Sequence, residues 1–219
     1  MSRPHTREVR TGCPYCGTGC GLIAEVSGGR VTAVKGDFLH PVSRGATCRK
    51  PLGLPEALGS ADRATEPLWR ESLDARWREQ TWRQTTGELA RRLQDVSARH
   101  GPDAIALYVS GQMTTEDYYV ASKLAKGFLG TNNVDSNSRL CMSSAVAGYT
   151  GALGSDGPPP SFADVDRADH LLLLGSNASA CHPVLWGRIR RRQAAGARVT
   201  VIDPRRTPTA AAADAHLQV

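Results

Sequence analysis

Four cysteines, Cys13, Cys16, Cys20 and Cys48, stand in the texts TGCPYCGTGCG and GATCRKP with the spacing C-x2-C-x3-C-x27-C. Three thiols fall on one tight, glycine-rich loop, and a fourth returns to them after a folded excursion. Thiolates are soft ligands that suit zinc and iron–sulfur clusters, and a cubane cluster takes four of them. A structural zinc site usually pairs two short cysteine knuckles or adds histidines. Here the arrangement is three plus one, and the nearest histidine, His40, lies outside it, so the spacing favours a cluster. A disulfide framework is disfavoured, because the start MSRPHTREVR has no apolar signal segment and six cysteines are few for 219 residues.

The other two cysteines are single. Cys141, in SNSRLCMSSAV, reads by itself as a small buried hydrophobe. Cys181, in SACHPVLW, reads as a core or loop thiol, although a neighbouring histidine can also make such a thiol a ligand or a nucleophile.

The elements that must position these groups follow from periodicity. LIAEV at 22–26 and VTAVKG at 31–36, joined by Ser27, Gly28 and Gly29, predict an antiparallel hairpin that leads out from Cys20 and back towards Cys48. Residues 51–70 carry three prolines and read as a connector. Residues 81–100 have helical apolar spacing that stops at Gly101-Pro102, and AIALYVSG reads as a buried parallel strand. Residues 116–129 read as helix, 130–139 as a polar stretch, and the segment after it as a loop and a helix of small residues. GSDGPPPS at 154–161 reads as a loop. HLLLLGSN is a second strand and loop, HPVLWGRIRRRQAAG a helix with Pro183 in its first turn, and RVTVIDPRR a third strand and loop. This alternation predicts a parallel α/β sheet with ligands beyond the carboxyl ends of its strands. The loops of interest are then 110–112, 175–181 and 203–207, expected to line one crevice. None is G-x-G-x-x-G, which gives an ordinary dinucleotide site little support.

Composition adds bounds. Hydrophobic residues make up 40% and charged residues 22%, and no apolar run is long enough for a membrane helix. The formal charge of +6 is mild, and the arginines of GRIRRR at 187–192 read as a solvated helix face. A zinc-dependent nucleic-acid binder that uses these arginines is the weakest reading, and no nucleic-acid partner is expected.

Taken together, TGCPYCGTGCG, CRK, YVSGQMTTEDYYVASKLAKGFLGTNNVDSNSRLCMSSAVAGY, LLLLGSNASACHPVLWGRI and VTVIDPRRT resemble, in order and spacing, the molybdopterin oxidoreductases that bind a molybdenum bis(molybdopterin guanine dinucleotide) and one 4Fe–4S cluster. The text is most similar to catalytic subunits of bacterial assimilatory nitrate reductases, with periplasmic nitrate reductases and formate dehydrogenases as near relatives.

The resemblance implies an α/β chain: a small N-terminal antiparallel β iron–sulfur domain over 1–59, then an incomplete parallel-sheet α/β molybdopterin-binding domain over 60–219. Cys13, Cys16, Cys20 and Cys48 would hold the cluster. Lys50 would lie between cluster and pterin and assist electron passage. Gln112, Asn137, the loop Leu174, Gly175, Ser176, Asn177, Ala178, Ser179, Ala180 and Cys181, and the loop Asp203, Pro204, Arg205, Arg206 and Thr207 would contact the pterin dinucleotide. Cys141 would ligate molybdenum, which displaces its reading as a buried hydrophobe. The Cys181 thiol matches no required ligand.

The implied reaction is reduction of nitrate to nitrite by oxygen-atom transfer, in nitrate assimilation, with electrons delivered through the cluster by a flavoprotein or ferredoxin. Formate dehydrogenases commonly follow the metal-bound residue with histidine; Met142 stands there instead, and a thioether is no general base. The alternatives are a formate dehydrogenase-type molybdoenzyme and a non-catalytic iron–sulfur electron-transfer module. Arg139 is either an attractor for nitrate or a partner in a salt bridge. Two features depart from the family: Pro51 stands where glycine is usual, and family members continue well beyond position 219. The second implies that the chain alone neither holds the complete cofactor nor turns over. Without a signal segment or twin-arginine start, the cytoplasm is the expected compartment.

Overall fold

A computed structural model describes residues 5–157 and 160–219. The first four residues of the polar start, and positions 158 and 159 of the GSDGPPPS segment, lie outside the described residues. In chain order the elements are β1 (Thr6–Gly12), β2 (Gly21–Ser27), β3 (Arg30–Gly36), α1 (Arg49–Leu52), α2 (Leu54–Gly59), β4 (Leu68–Trp69), β5 (Arg78–Glu79) and α3 (Trp82–His100). A 3-10 turn, Pro102–Ala104, leads to β6 (Leu107–Val109) and α4 (Thr115–Lys123), whose last turn widens into a π-helix at Leu124–Leu129. Then follow β7 (Val134–Ser136), α5 (Asn137–Leu153), α6 (Phe162–Arg167), β8 (His170–Leu174), α7 (Ala178–Cys181), α8 (Pro183–Ala194), β9 (Arg198–Ile202), α9 (Pro208–Ala211) and β10 (Ala215–Leu217). The chain forms two compact units, Met1–Arg63 with Pro159–Val219, and Ala64–Pro158.

The first unit contains two sheets. β1, β2 and β3 form an antiparallel sheet in that order, with Gly12 opposite Gly21 and a register shift at Glu25/Val26. The predicted hairpin is present, and its turn is made by Gly28 and Gly29, both at positive φ. Leu22 is fully buried on this sheet. The second sheet is parallel, in the order β10-β9-β8. Its apolar runs bury Leu173, Val199 and Val201 against Ala178, Ile189 and Ala210. Full burial of each valine contributes about 1.5–3 kcal/mol.

In the second unit, β6 pairs in parallel with β7. The single parallel sheet expected from sequence is therefore two sheets, and the polar stretch 130–139 supplies the strand that β6 pairs with. α3 starts where predicted, because Thr81 and Gln84 form a reciprocal capping box, and it ends at Gly101 with φ +81°. The connector over 51–70 is more regular than its prolines imply. Pro51 sits within α1, and Pro55 lies in the first turn of α2, where its missing N–H costs nothing.

Candidate iron–sulfur and molybdopterin site

The three-cysteine loop is the turn that joins β1 to β2. Because Gly12 pairs with Gly21, the chain enters and leaves the loop side by side. The loop is closed by the Cys13 N–H donating to the Cys20 carbonyl at 2.8 Å and the Gly19 N–H donating to the Cys16 carbonyl at 3.2 Å. Gly19 sits at φ +62°, a conformation that suits glycine.

The fourth cysteine is delivered by the segment after β3. That segment folds back onto Gly21: the Asp37 N–H donates to the Gly21 carbonyl at 3.0 Å, and the Gly21 N–H donates to Ser43 Oγ at 3.1 Å. His40 lies against Gly21 so closely that a Cβ there would come within 2.3 Å of its ring. Asp37, Ser43 and Thr18 are buried. Cys48 then stands at the residue before α1, which carries Lys50.

These contacts bring the four thiols into one neighbourhood. The Cys20 thiol is pushed up to about 11, first by burial and then by the neighbouring sulfurs of Cys13, Cys16 and Cys48. Four thiolates so placed repel one another unless a cationic group stands among them. Thr18 Oγ1 is buried in the same loop without a hydrogen-bond partner. Donor set and orphaned hydroxyl both fit a bound iron–sulfur group. Among the described residues no three His, Cys, Asp or Glu side chains converge closely enough to hold a single metal ion. A cubane is larger than one ion and spreads its four ligands accordingly. All six cysteines are free thiols.

Lys50 belongs to α1. Its Nζ donates to the Cys181 carbonyl at 3.2 Å, at the end of the loop that follows β8. A cleft of 490 Å³ runs beside it, lined by Cys48, Lys50, Pro183 and Arg191 among others. The loop itself is tied to the next strand by the Gly175 N–H donating to the Ile202 carbonyl at 2.9 Å. Thr209 is fully buried. Its Oγ1 accepts from the Ser179 N–H and donates to Asn177 Oδ1, each at 2.9 Å. This hydroxyl joins the loop 175–181 to α9. The only signal for it is a second threonine in RRTPTAA, which reads as a plain helix residue.

After β9, Asp203 is buried and its Oδ1 accepts from the Arg205 N–H at 2.8 Å, while Thr207 caps α9. Pro204, Arg205 and Arg206 are exposed, as are Leu174, Gly175, Ala180 and the Cys181 residue; Ser176, Asn177 and Ser179 are half-buried and Ala178 is buried. The loops after β8 and β9 thus lie at the carboxyl ends of adjacent parallel strands, as the sequence predicts.

Gln112, Asn137 and Cys141 belong to the second unit. The Gly111 N–H donates to Asn137 Oδ1 at 2.5 Å, which pins the loop after β6 to the start of α5. A Cβ on Gly111 would meet Ser138 Oγ at 2.4 Å. Gln112 is exposed, and its N–H donates to Ser110 Oγ. Cys141 is exposed in the second turn of α5, with its Sγ 3.6 Å from the Ser138 carbonyl. It is no buried hydrophobe. Arg139 is engaged by Asp135 at 2.5 Å, and this pair holds the Asp135 carboxyl below its ordinary range.

The family model described as Molybdopterin oxidoreductase matches residues 63–219, and the one described as Molybdopterin oxidoreductase Fe4S4 domain matches residues 6–55. The chain belongs to the molybdopterin oxidoreductases. These matches set its cofactor class as a molybdopterin and a 4Fe–4S cluster. A protein named nitrate reductase from Klebsiella oxytoca is 48% identical over 96% of this chain, and one from Synechocystis is 43% identical over 96%. A periplasmic nitrate reductase from Desulfovibrio desulfuricans is 42% identical over 99%. The chain covers 24%, 31% and 29% of these relatives, so it spans about a quarter to a third of their length. Among solved structures, acetylene hydratase from Pelobacter acetylenicus matches with a TM-score of 0.80 at 25% identity, over 95% of this chain and 29% of that one. Among the described residues no helix is long and apolar enough to cross a membrane.

Proposed function

We propose that the chain carries the cluster site and part of the molybdopterin site of a nitrate reductase of the assimilatory type. The observation that carries this reading is the 48% identity, over nearly the whole chain, to a protein named nitrate reductase. In this reading the cofactor is molybdenum bis(molybdopterin guanine dinucleotide), and when bound it supplies oxygen-atom transfer from nitrate. The protein works in the cytoplasm and takes electrons from a flavoprotein or ferredoxin.

Each residue has a defined task. Cys13, Cys16, Cys20 and Cys48 hold the cluster. Lys50 bridges from the turn after Cys48 to the loop 174–181, which, with residues 203–207, Gln112 and Asn137, binds the pterin dinucleotide. Cys141 presents an exposed thiol to molybdenum. Met142 beside it offers no proton-accepting group, which favours nitrate over formate.

The test is to assay a cofactor-loaded full-length enzyme that contains this chain, with reduced viologen and nitrate, and separately with formate and an oxidant. Nitrate reduction without formate oxidation is expected. Formate oxidation without nitrate reduction would move the enzyme to the formate dehydrogenase reading. Iron without molybdenum in the isolated holoprotein would make it an electron-transfer module.

A further inference from the structure

The arginine-rich helix α8 is not a plain solvated face. Arg188 is only 6% exposed. Its Nε donates to Asp166 Oδ1 at 3.0 Å, its Nη2 bonds the other carboxylate oxygen, and its Nη1 donates to the Val42 carbonyl at 2.9 Å. The guanidinium also stands 5.3 Å from the centre of the Phe162 ring. One flat side chain thereby joins α8, α6 and the segment after β3.

Val42 stands in the segment that carries the fourth cysteine. The next residue, Ser43, accepts from the Gly21 N–H, immediately after Cys20, and its carbonyl accepts from the Ala46 N–H at 2.8 Å, two residues before Cys48. A restraint on the Val42 carbonyl is thus one residue from the contact that fixes the distance between the Cys20 strand and the Cys48 turn. We propose that Arg188 is a positioning residue for the iron–sulfur site. It holds the return segment against Gly21 and so sets where the Cys48 thiol stands relative to Cys13, Cys16 and Cys20. This inference rests on the cluster reading above.

The geometry demands arginine. Two donors are spent on the Asp166 carboxylate and a third, at a fixed angle, on Val42. A lysine ammonium is a point charge on a flexible stem and cannot hold both partners with the same rigidity. Groups that orient metal ligands in this way typically change metal affinity by about 10–100-fold when removed.

The experiment compares wild type, Arg188→Gln, Arg188→Lys and Ser43→Ala in the cluster-loaded protein. It measures the rate of iron release to a chelator, the reduction potential of the cluster and its electron paramagnetic resonance line shape, beside the unfolding of each cluster-free protein. Arg188→Gln and Ser43→Ala are expected to release iron roughly tenfold faster or more, with a displaced potential and altered line shape, and Arg188→Lys to fall between them and wild type. If Arg188→Gln does not fold, Arg188→Lys and Ser43→Ala report the same quantities. Iron release and potential unchanged in the variants, with only cluster-free stability lowered, would reduce Arg188 to a fold-stabilising ion pair and overturn the proposal. Wild type that binds no iron–sulfur cluster would instead overturn the reading on which the proposal stands, and the proposal with it.

Discussion

The ammonium of Lys50 donates a hydrogen bond to the backbone carbonyl of Cys181 at 3.2 Å. Two positions before it stands the fourth cysteine of the cluster set, and Cys181 closes the loop that follows β8. One side chain thus links the two segments to which cluster and pterin are assigned.

In the full-length nitrate reductase proposed above, Lys50→Met is expected to leave the iron content unchanged and to slow viologen-driven nitrate reduction at least about tenfold, equivalent to about 1.4 kcal/mol on the barrier. Cys181→Ala is the control. The contact uses the carbonyl and not the thiol, so this variant is expected to keep the Lys50 hydrogen bond and the wild-type iron content. Wild-type turnover in Lys50→Met would overturn the assignment of Lys50.

Thr209 is fully buried and serves both the Ser179 N–H and Asn177 Oδ1. Thr209→Val keeps its shape and strips its hydroxyl, leaving the amide unpaired. A stability loss of about 1–3 kcal/mol in denaturant unfolding is expected. Unchanged stability would mean the loop finds other partners.

Gly36 faces the backbone of Gly45, where an added Cβ would lie 2.1 Å from the carbonyl oxygen. Backbone does not yield as a flexible side chain does. Gly36→Ala should cost roughly 1–3 kcal/mol and lower iron occupancy, both measurable on the purified protein.

The Arg188 guanidinium holds the Asp166 carboxyl below its ordinary range, chiefly by direct hydrogen bonds. A depressed carboxylate contributes stability that is present above its unfolded value of about 3.9 and is lost as pH falls through its lower folded value. Wild type and Asp166→Asn should therefore differ by a constant amount between about pH 5 and 8, and converge in more acid solution. A difference that grows towards alkaline pH would contradict the pairing.

Much of this arrangement is legible in the residues. The hairpin after Cys20 shows in its alternation and its paired glycines, and β8 and β9 show as short apolar runs, because each is dictated by local pattern. The partner of β6 was hidden. Val134–Ser136 is three residues of mixed polarity, and such a strand is set by what it pairs with. The prolines at 51 and 55 read as breakers, although first-turn positions tolerate them. Thr209 and Arg188 escaped for a related reason. Their partners lie between 22 and 146 residues away along the chain, and a buried hydroxyl or guanidinium looks in sequence like any other on a helix.

The four-cysteine cluster site is tested most directly by quantitative iron and zinc analysis, with electron paramagnetic resonance, on the dithionite-reduced protein after anaerobic assembly with iron and sulfide. About four irons per chain and a cluster signal are expected, with loss of both in Cys20→Ser and Cys48→Ser but not in Cys181→Ala. One zinc per chain, no iron and no signal would contradict the cluster assignment.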